Sequence, residues 1–161
     1  MNQSYCRGWH TFWLSCCAGL VPLAAHAETD ACTLVTSAQV SAAIHMAVGE
    51  GTHVTPTFVK TCTWTPTASS SIRAVTVNLQ TAAFYDGSKQ TAIKTAAALP
   101  EGKIKPASVG DDGYYLVEGE IAMLFFKKGG SSVKVAVYAK AGVDEIAAME
   151  FAIAKQVATK L

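Results

Sequence analysis

The chain has 161 residues, with thirteen Lys and Arg against twelve Asp and Glu, and a formal net charge of +1. A near-neutral chain without a basic block lacks the electrostatic footprint of a nucleic-acid-binding protein and offers no polybasic stretch to anionic lipid. Its length suits one domain and allows a hydrophobic core that needs no metal.

The N-terminus carries an export pattern. Arg7 gives a polar start one positive charge, residues 11–25 form an uncharged apolar run, and Ala25-His26-Ala27 is the small-x-small motif that a signal peptidase cuts after. The expected organisation is a cleaved signal peptide, 1–27, with cleavage between Ala27 and Glu28, followed by one domain, 28–161. The run is shorter than the roughly 20 apolar residues of a membrane span. Cys17 has Leu14 at lipoprotein spacing, but Cys16 stands where a small residue is needed. No Arg-Arg pair marks the twin-arginine route. The expectation is an exported protein, periplasmic or extracellular, with no stable membrane anchor after cleavage. Losing Arg7 leaves twelve basic and twelve acidic residues.

Cys6, Cys16 and Cys17 fall in the signal, leaving Cys32 and Cys62. Two cysteines in an oxidising compartment read as one structural disulfide. The rival reading is a redox or metal pair, which usually takes the close Cys-x-x-Cys spacing.

Thr36-Ser37-Ala38-Gln39 is a capping-box pattern, and Val40, Ala43, Ile44 and Ala47 recur at helical spacing before Gly49. A helix is expected over 37–48, then a loop over 52–57 with Pro56. Residues 60–65 alternate, Cys62 and Trp64 against Thr61, Thr63 and Thr65. Residues 72–80 alternate again through Val75, Val77 and Leu79, so the two segments predict an antiparallel hairpin. Asp86 is the expected cap of a second helix over 88–99, ended by Pro100 and Gly102. Residues 103–112 read as loop. Strands follow over 114–118, 121–127 and 133–140, parted by Gly119 and Gly129-Gly130. The middle one is apolar on both faces and should be covered on both. The last has a wetter face bearing Lys134 and Tyr138. Residues 143–161 predict a closing helix with the stripe Ile146, Met149, Ile153 and Val157. The order α-β-β-α-β-β-β-α predicts an α+β fold, an antiparallel sheet of about five strands packed against helices.

These residues resemble small exported bacterial domains of unknown function, including LpqN-like lipoproteins and secreted proteins. The resemblance rests on Cys32-Thr33-Leu34-Val35-Thr36-Ser37-Ala38-Gln39-Val40, Gly49 and Cys62-Thr63-Trp64. It continues through Val109-Gly110-Asp111-Asp112-Gly113-Tyr114, Lys128-Gly129 and the Ala-rich closing helix. Gln39 stands for the usual Glu and Gly113 for the usual Ala, and the lipidated cysteine is missing. The resemblance implies a PsbP-like sandwich and carries over no catalytic residue.

Candidate chemistry is sparse. His45, Met46, His53 and Met149 suit copper by ligand type, but the plainer reading puts His45 on a helix flank and His53 in a loop. No serine lies in Gly-x-Ser-x-Gly or Ser-x-x-Lys, and Ser131-Ser132 reads as a hairpin turn. Gly110-Asp111-Asp112-Gly113 reads as a turn with solvated acids rather than a calcium loop. Glu118 and Glu120 flank Gly119 and should face water. Tyr115 or Phe126 is the aromatic expected on a partner-binding surface. No catalytic residue, metal ligand or cofactor is assigned. The expected function is a non-catalytic binding or accessory module of the cell envelope, contacting an envelope protein or a small apolar ligand. The alternative is a minor envelope enzyme or copper-handling protein.

Overall fold

The computed structural model describes residues 29–161; the expected signal peptide and its cleavage between Ala27 and Glu28 lie outside the described residues. Among the described residues there are seven strands: β1 (Thr52–His53), β2 (Thr61–Trp64), β3 (Ile72–Thr81), β4 (Lys103–Pro106), β5 (Asp112–Glu118), β6 (Ile121–Lys128) and β7 (Ser131–Ala139). They pair antiparallel throughout, in the order β1-β2-β3-β7-β6-β5-β4. The helices are α1 (Ser37–Ile44), α2 (Ala82–Ala98) and α3 (Val143–Ala158), with a 3-10 turn, Ala31–Thr33, ahead of them.

The α+β class and the antiparallel sheet are as expected. The count of about five strands is corrected to seven, and the predicted element order changes with it. The two additions, β1 and β4, close the opposite edges of the sheet. Both are short, and β4 ends on Pro106, whose missing N–H is harmless at an edge. Such segments have no periodicity of their own and exist through their neighbours.

The register explains the alternation. Cys62, Val77, Val135, Leu124 and Tyr115 align across one face, while Thr61, Asn78, Lys134, Phe125 and Tyr114 align across the other. α1 and α3 cover the first face. Its core includes Trp64, Val75, Val77, Leu124, Phe126, Val133 and Val135 against Val40, Ile44, Ile146, Ile153 and Val157. α2 covers the second face over a smaller core of Tyr85, Ala92, Ala96, Tyr114 and Leu116. β6 is covered on both sides, as its doubly apolar sequence demands: Ala122, Leu124 and Phe126 are buried on the first face, and Met123 and Phe125 are partly buried on the second, where Ile121 remains exposed.

The helix ends depart from expectation for local reasons. α1 has its capping box, with the Gln39 amide donating to Thr36 Oγ1 and the Thr36 amide to Gln39 Oε1. It stops at Ile44 rather than at 48, because His45 turns left-handed at φ 54° and its N–H closes on the Ser41 carbonyl. α2 starts at Ala82 rather than at an Asp86 cap. β3 runs straight into it, and the Ala82 amide bonds the Gly130 carbonyl at 2.9 Å. Asp86 instead sits a turn inside the helix and pairs with Lys127 at 3.1 Å. α3 carries Asp144 and Glu145 in its first turn and ends at Ala158, where the Lys128 ammonium donates to the last carbonyl.

Cys32 and Cys62 stand at disulfide distance, Cα–Cα 4.9 Å, and tie the 3-10 turn to β2. A Cβ on Gly51 would meet Cys62 Sγ at 2.6 Å and the Trp64 indole at 2.8 Å, so only glycine lets the backbone lie this close. Among the described residues, no helix is long and apolar enough to cross a membrane.

Candidate functional site

A cavity of about 640 Å³ opens between α2 and the second face of the sheet. Its origin is the composition of α2. Besides Tyr85, the residues this helix buries are Ala92 and Ala96, and its other small residues at the cavity are Gly87, Ser88, Thr91 and Thr95. Side chains this small leave volume that a Leu-bearing helix would fill. The helix is held instead by two ion pairs from its first half and by close packing at its exit. Lys89 reaches Asp112 on β5 at 2.7 Å, and Asp86 reaches Lys127 on β6. Beyond the other end, a Cβ on Gly102 would lie 2.7 Å from the Ala96 backbone.

The floor is graded from aromatic to polar along one row. Tyr114, Phe125, Lys134 and Asn78 line the cavity and are cross-strand neighbours in that order. The Tyr114 and Phe125 rings stack at 5.0 Å, and Tyr85 tilts against Tyr114 at 5.5 Å. At the other side, Gln80 Nε2 donates to Asn78 Oδ1 at 3.1 Å, and Asn78 Nδ2 donates to Thr61 Oγ1. Lys134 has no ion-pair partner among the described residues. Phe84, 56% exposed, stands among the residues lining the cavity.

The electrostatics sharpen the aromatic end. The Tyr85 and Tyr114 hydroxyls are buried; Tyr114 has no hydrogen-bond partner among the described residues, and Tyr85 has only the Asp112 carboxylate near it, short of good hydrogen-bond geometry. Burial raises both phenols, Tyr85 strongly and Tyr114 to about 12, and the Asp112 charge adds to each. Asp112 itself is held below the usual carboxylate range, first by the Lys89 hydrogen bond. The Lys89 ammonium lies 5.8 Å and 5.9 Å from the Tyr85 and Tyr114 ring centres, within cation–π reach. Chemically, the arrangement offers an apolar body a dry aromatic end and a polar group an amide, hydroxyl and ammonium end.

The residues singled out from sequence are scattered rather than gathered here. His45 is exposed at the end of α1. His53 is not in a loop: it lies in β1, half-buried, with Nε2 2.8 Å from Asp30 Oδ1. That carboxylate is remote in sequence, so no spacing announced it. The hydrogen bond to His53 chiefly holds Asp30 below its ordinary value. Tyr115 and Phe126 are not a partner surface. Phe126 is fully buried, and Tyr115 is half-buried with its hydroxyl donating to the Ala147 carbonyl at 3.0 Å. Among the described residues, the exposed aromatics are Phe58, Phe84 and Tyr138. Glu120 faces water, whereas Glu118 is half-buried and lines the cavity. Asp111 is exposed and accepts from the Gly129 amide, but Asp112 is committed to Lys89. Ser131 and Ser132 belong to β7, not to the turn, and Ser132 is buried with its hydroxyl on the Thr81 carbonyl. Compared with protein-family models, curated proteins and solved structures, the chain matches none of them.

Proposed function

We propose that this protein is a non-catalytic, exported binding module of the cell envelope, periplasmic or extracellular, which holds a small amphipathic molecule under α2. The observation that carries the reading is the graded row Tyr114, Phe125, Lys134 and Asn78 beneath a helix that meets it with alanines. Ligand sites are typically apolar concavities with a few placed polar groups, and this one has the size and the mixture. The export pattern before Glu28 and a cysteine pair at disulfide distance support an oxidising compartment. Kinship with LpqN-like domains and the PsbP-like sandwich belongs to the same proposal, resting on the Cys32 to Val40 and Cys62 to Trp64 motifs.

The test is displacement of an apolar anionic fluorophore from the purified protein by alkyl and aryl carboxylates. One equivalent should bind. Thr91→Trp, placed in the cavity lining on the exposed side of α2, should weaken binding by about tenfold or more with unchanged circular dichroism. Equal binding by the variant, or no binding by either protein, would defeat the reading.

A further inference from the structure

We propose that Asp30, Cys32, His53 and Cys62 form a latent site for a thiophilic divalent cation, with Zn²⁺ as the probe, and that reduction of the Cys32–Cys62 disulfide opens it. The ligand atoms of Asp30, Cys32 and His53 all lie within 4.8 Å of one another. Cys62 is bonded to Cys32 and is the cross-strand partner of His53, which brings its sulfur to the same place. Two thiolates, an imidazole and a carboxylate make a four-ligand set of the kind zinc takes tetrahedrally.

The chemistry is gated by the sulfurs. While they are bonded to each other, only Asp30 and His53 remain as strong ligands, and these two partner each other at 2.8 Å. Thiol–disulfide exchange with a dithiol transfers two electrons: the dithiol closes to its own disulfide and the protein gains two thiols. The cation then binds two thiolates, and two thiol protons leave to solvent. It binds His53 Nε2 and Asp30 Oδ1 in place of their mutual hydrogen bond, and the neutral imidazole then carries its one hydrogen on Nδ1, with no further proton released.

The ligands stay together once the bond is cut, because other contacts hold each segment. The Ala31 amide bonds the Val59 carbonyl at 2.8 Å, and the Cys32 amide bonds Asp30 Oδ1 at 2.7 Å. Ala31, Leu34 and Val35 are buried in the main core. On the strand side Cys62 is fully buried and paired with Val77. The Gly51 backbone lies so close to its sulfur that a Cβ there would meet it at 2.6 Å, so the half-buried Cys32 is the sulfur free to move aside for the cation.

The experiment is a zinc and cobalt titration of the purified protein, oxidised and after reduction by a non-thiol phosphine. The reduced protein should bind one Zn²⁺ about a hundredfold or more tighter than the oxidised form. Its Co²⁺ form should show a thiolate charge-transfer band with two-sulfur intensity and tetrahedral visible bands. His53→Ala and Asp30→Asn keep the disulfide, and each should weaken zinc binding by the reduced protein by about tenfold or more. Equal affinity in the two redox states, a cobalt spectrum without thiolate bands, or indifference to both variants would overturn the proposal. Circular dichroism follows folding throughout. A reduced protein that unfolds and is not refolded by zinc would overturn it as well.

Discussion

Glu150 on α3 reaches the Val137 amide of β7 at 3.0 Å, from a position with no solvent exposure. The β6–β7 ladder ends at Leu124 and Val135, so the strands part beyond that point and the carboxylate takes the freed amide. Its second oxygen has no hydrogen-bond partner among the described residues. Burial pushes this acid up to about 8, against the pull of the Val137 and Leu124 amides.

The consequence is a stability that falls with rising pH. The folded protein favours the protonated acid, so this contribution is complete below the ordinary value of 4.5 and is lost as pH climbs to about 8. The loss should be on the order of a few kcal/mol and level off above that pH. Asp30 and Asp112 act oppositely: both are lowered, so their contribution is present above the ordinary 3.8 and is lost as pH falls through their folded values. Thermal melts from pH 4 to 9 should show the decline, and Glu150→Gln should flatten it. A melting temperature that rises over this range would contradict the assignment.

Removing the disulfide should cost about 3 kcal/mol on the chain-entropy view, against a typical total of roughly 5–15. The double variant Cys32→Ala with Cys62→Ala should melt several degrees lower yet remain folded at room temperature, because the 3-10 turn keeps its buried residues and its bond to Val59. Calorimetry on the two proteins measures this. Equal melting temperatures would show that the link contributes nothing.

Gly102→Ala should loosen α2. The new Cβ would lie 2.7 Å from both Cα and the carbonyl oxygen of Ala96, and both are backbone atoms that cannot swing aside. A cost of about 1–3 kcal/mol in urea unfolding is expected. Because this contact packs the exit loop against the last turn of α2, which roofs the cavity, the affinity for the apolar fluorophore should change too. A variant with native stability would mean that the loop absorbs the clash.

His45→Gly should stabilise by up to about 1 kcal/mol. His45 holds a left-handed conformation that glycine adopts without steric cost, and its side chain is exposed. Urea midpoints compare the two. A loss of stability would reveal a role for the imidazole that its exposure does not suggest.

Much of the sheet was legible because alternation is a local property. Val133, Val135 and Val137 point to one face whichever strands flank them, and β6 advertised double coverage through its own residues. The closing stripe was legible too, yet Glu150 stood inside it unread, four residues after Ile146 and three before Ile153. That spacing was the available signal for a buried acid. The cavity gave none, since it arises from volume that Ala92 and Ala96 do not fill, and periodicity registers which residues are apolar rather than how much space they occupy. The Asp30–His53 contact was invisible for a different reason: the 3-10 turn and β1 meet only through folding of the residues between and around them.

The longest ladder in the sheet joins β3 to β7, from Ile72 with Ala139 to Thr81 with Ser131. In the chain, α2, β4, β5 and β6 all lie between these strands. The meander from β5 to β7 closes by short turns, but β3 can dock on it only after a long loop has been gathered, and that closure is slow. Neither half of the sheet is complete without this seam, since β1 and β2 hang from β3 and β4 to β6 hang from β7. The protein is therefore built to unfold as one cooperative unit: its calorimetric and van't Hoff enthalpies should coincide, and a fragment ending before β7 should not hold β3 in place.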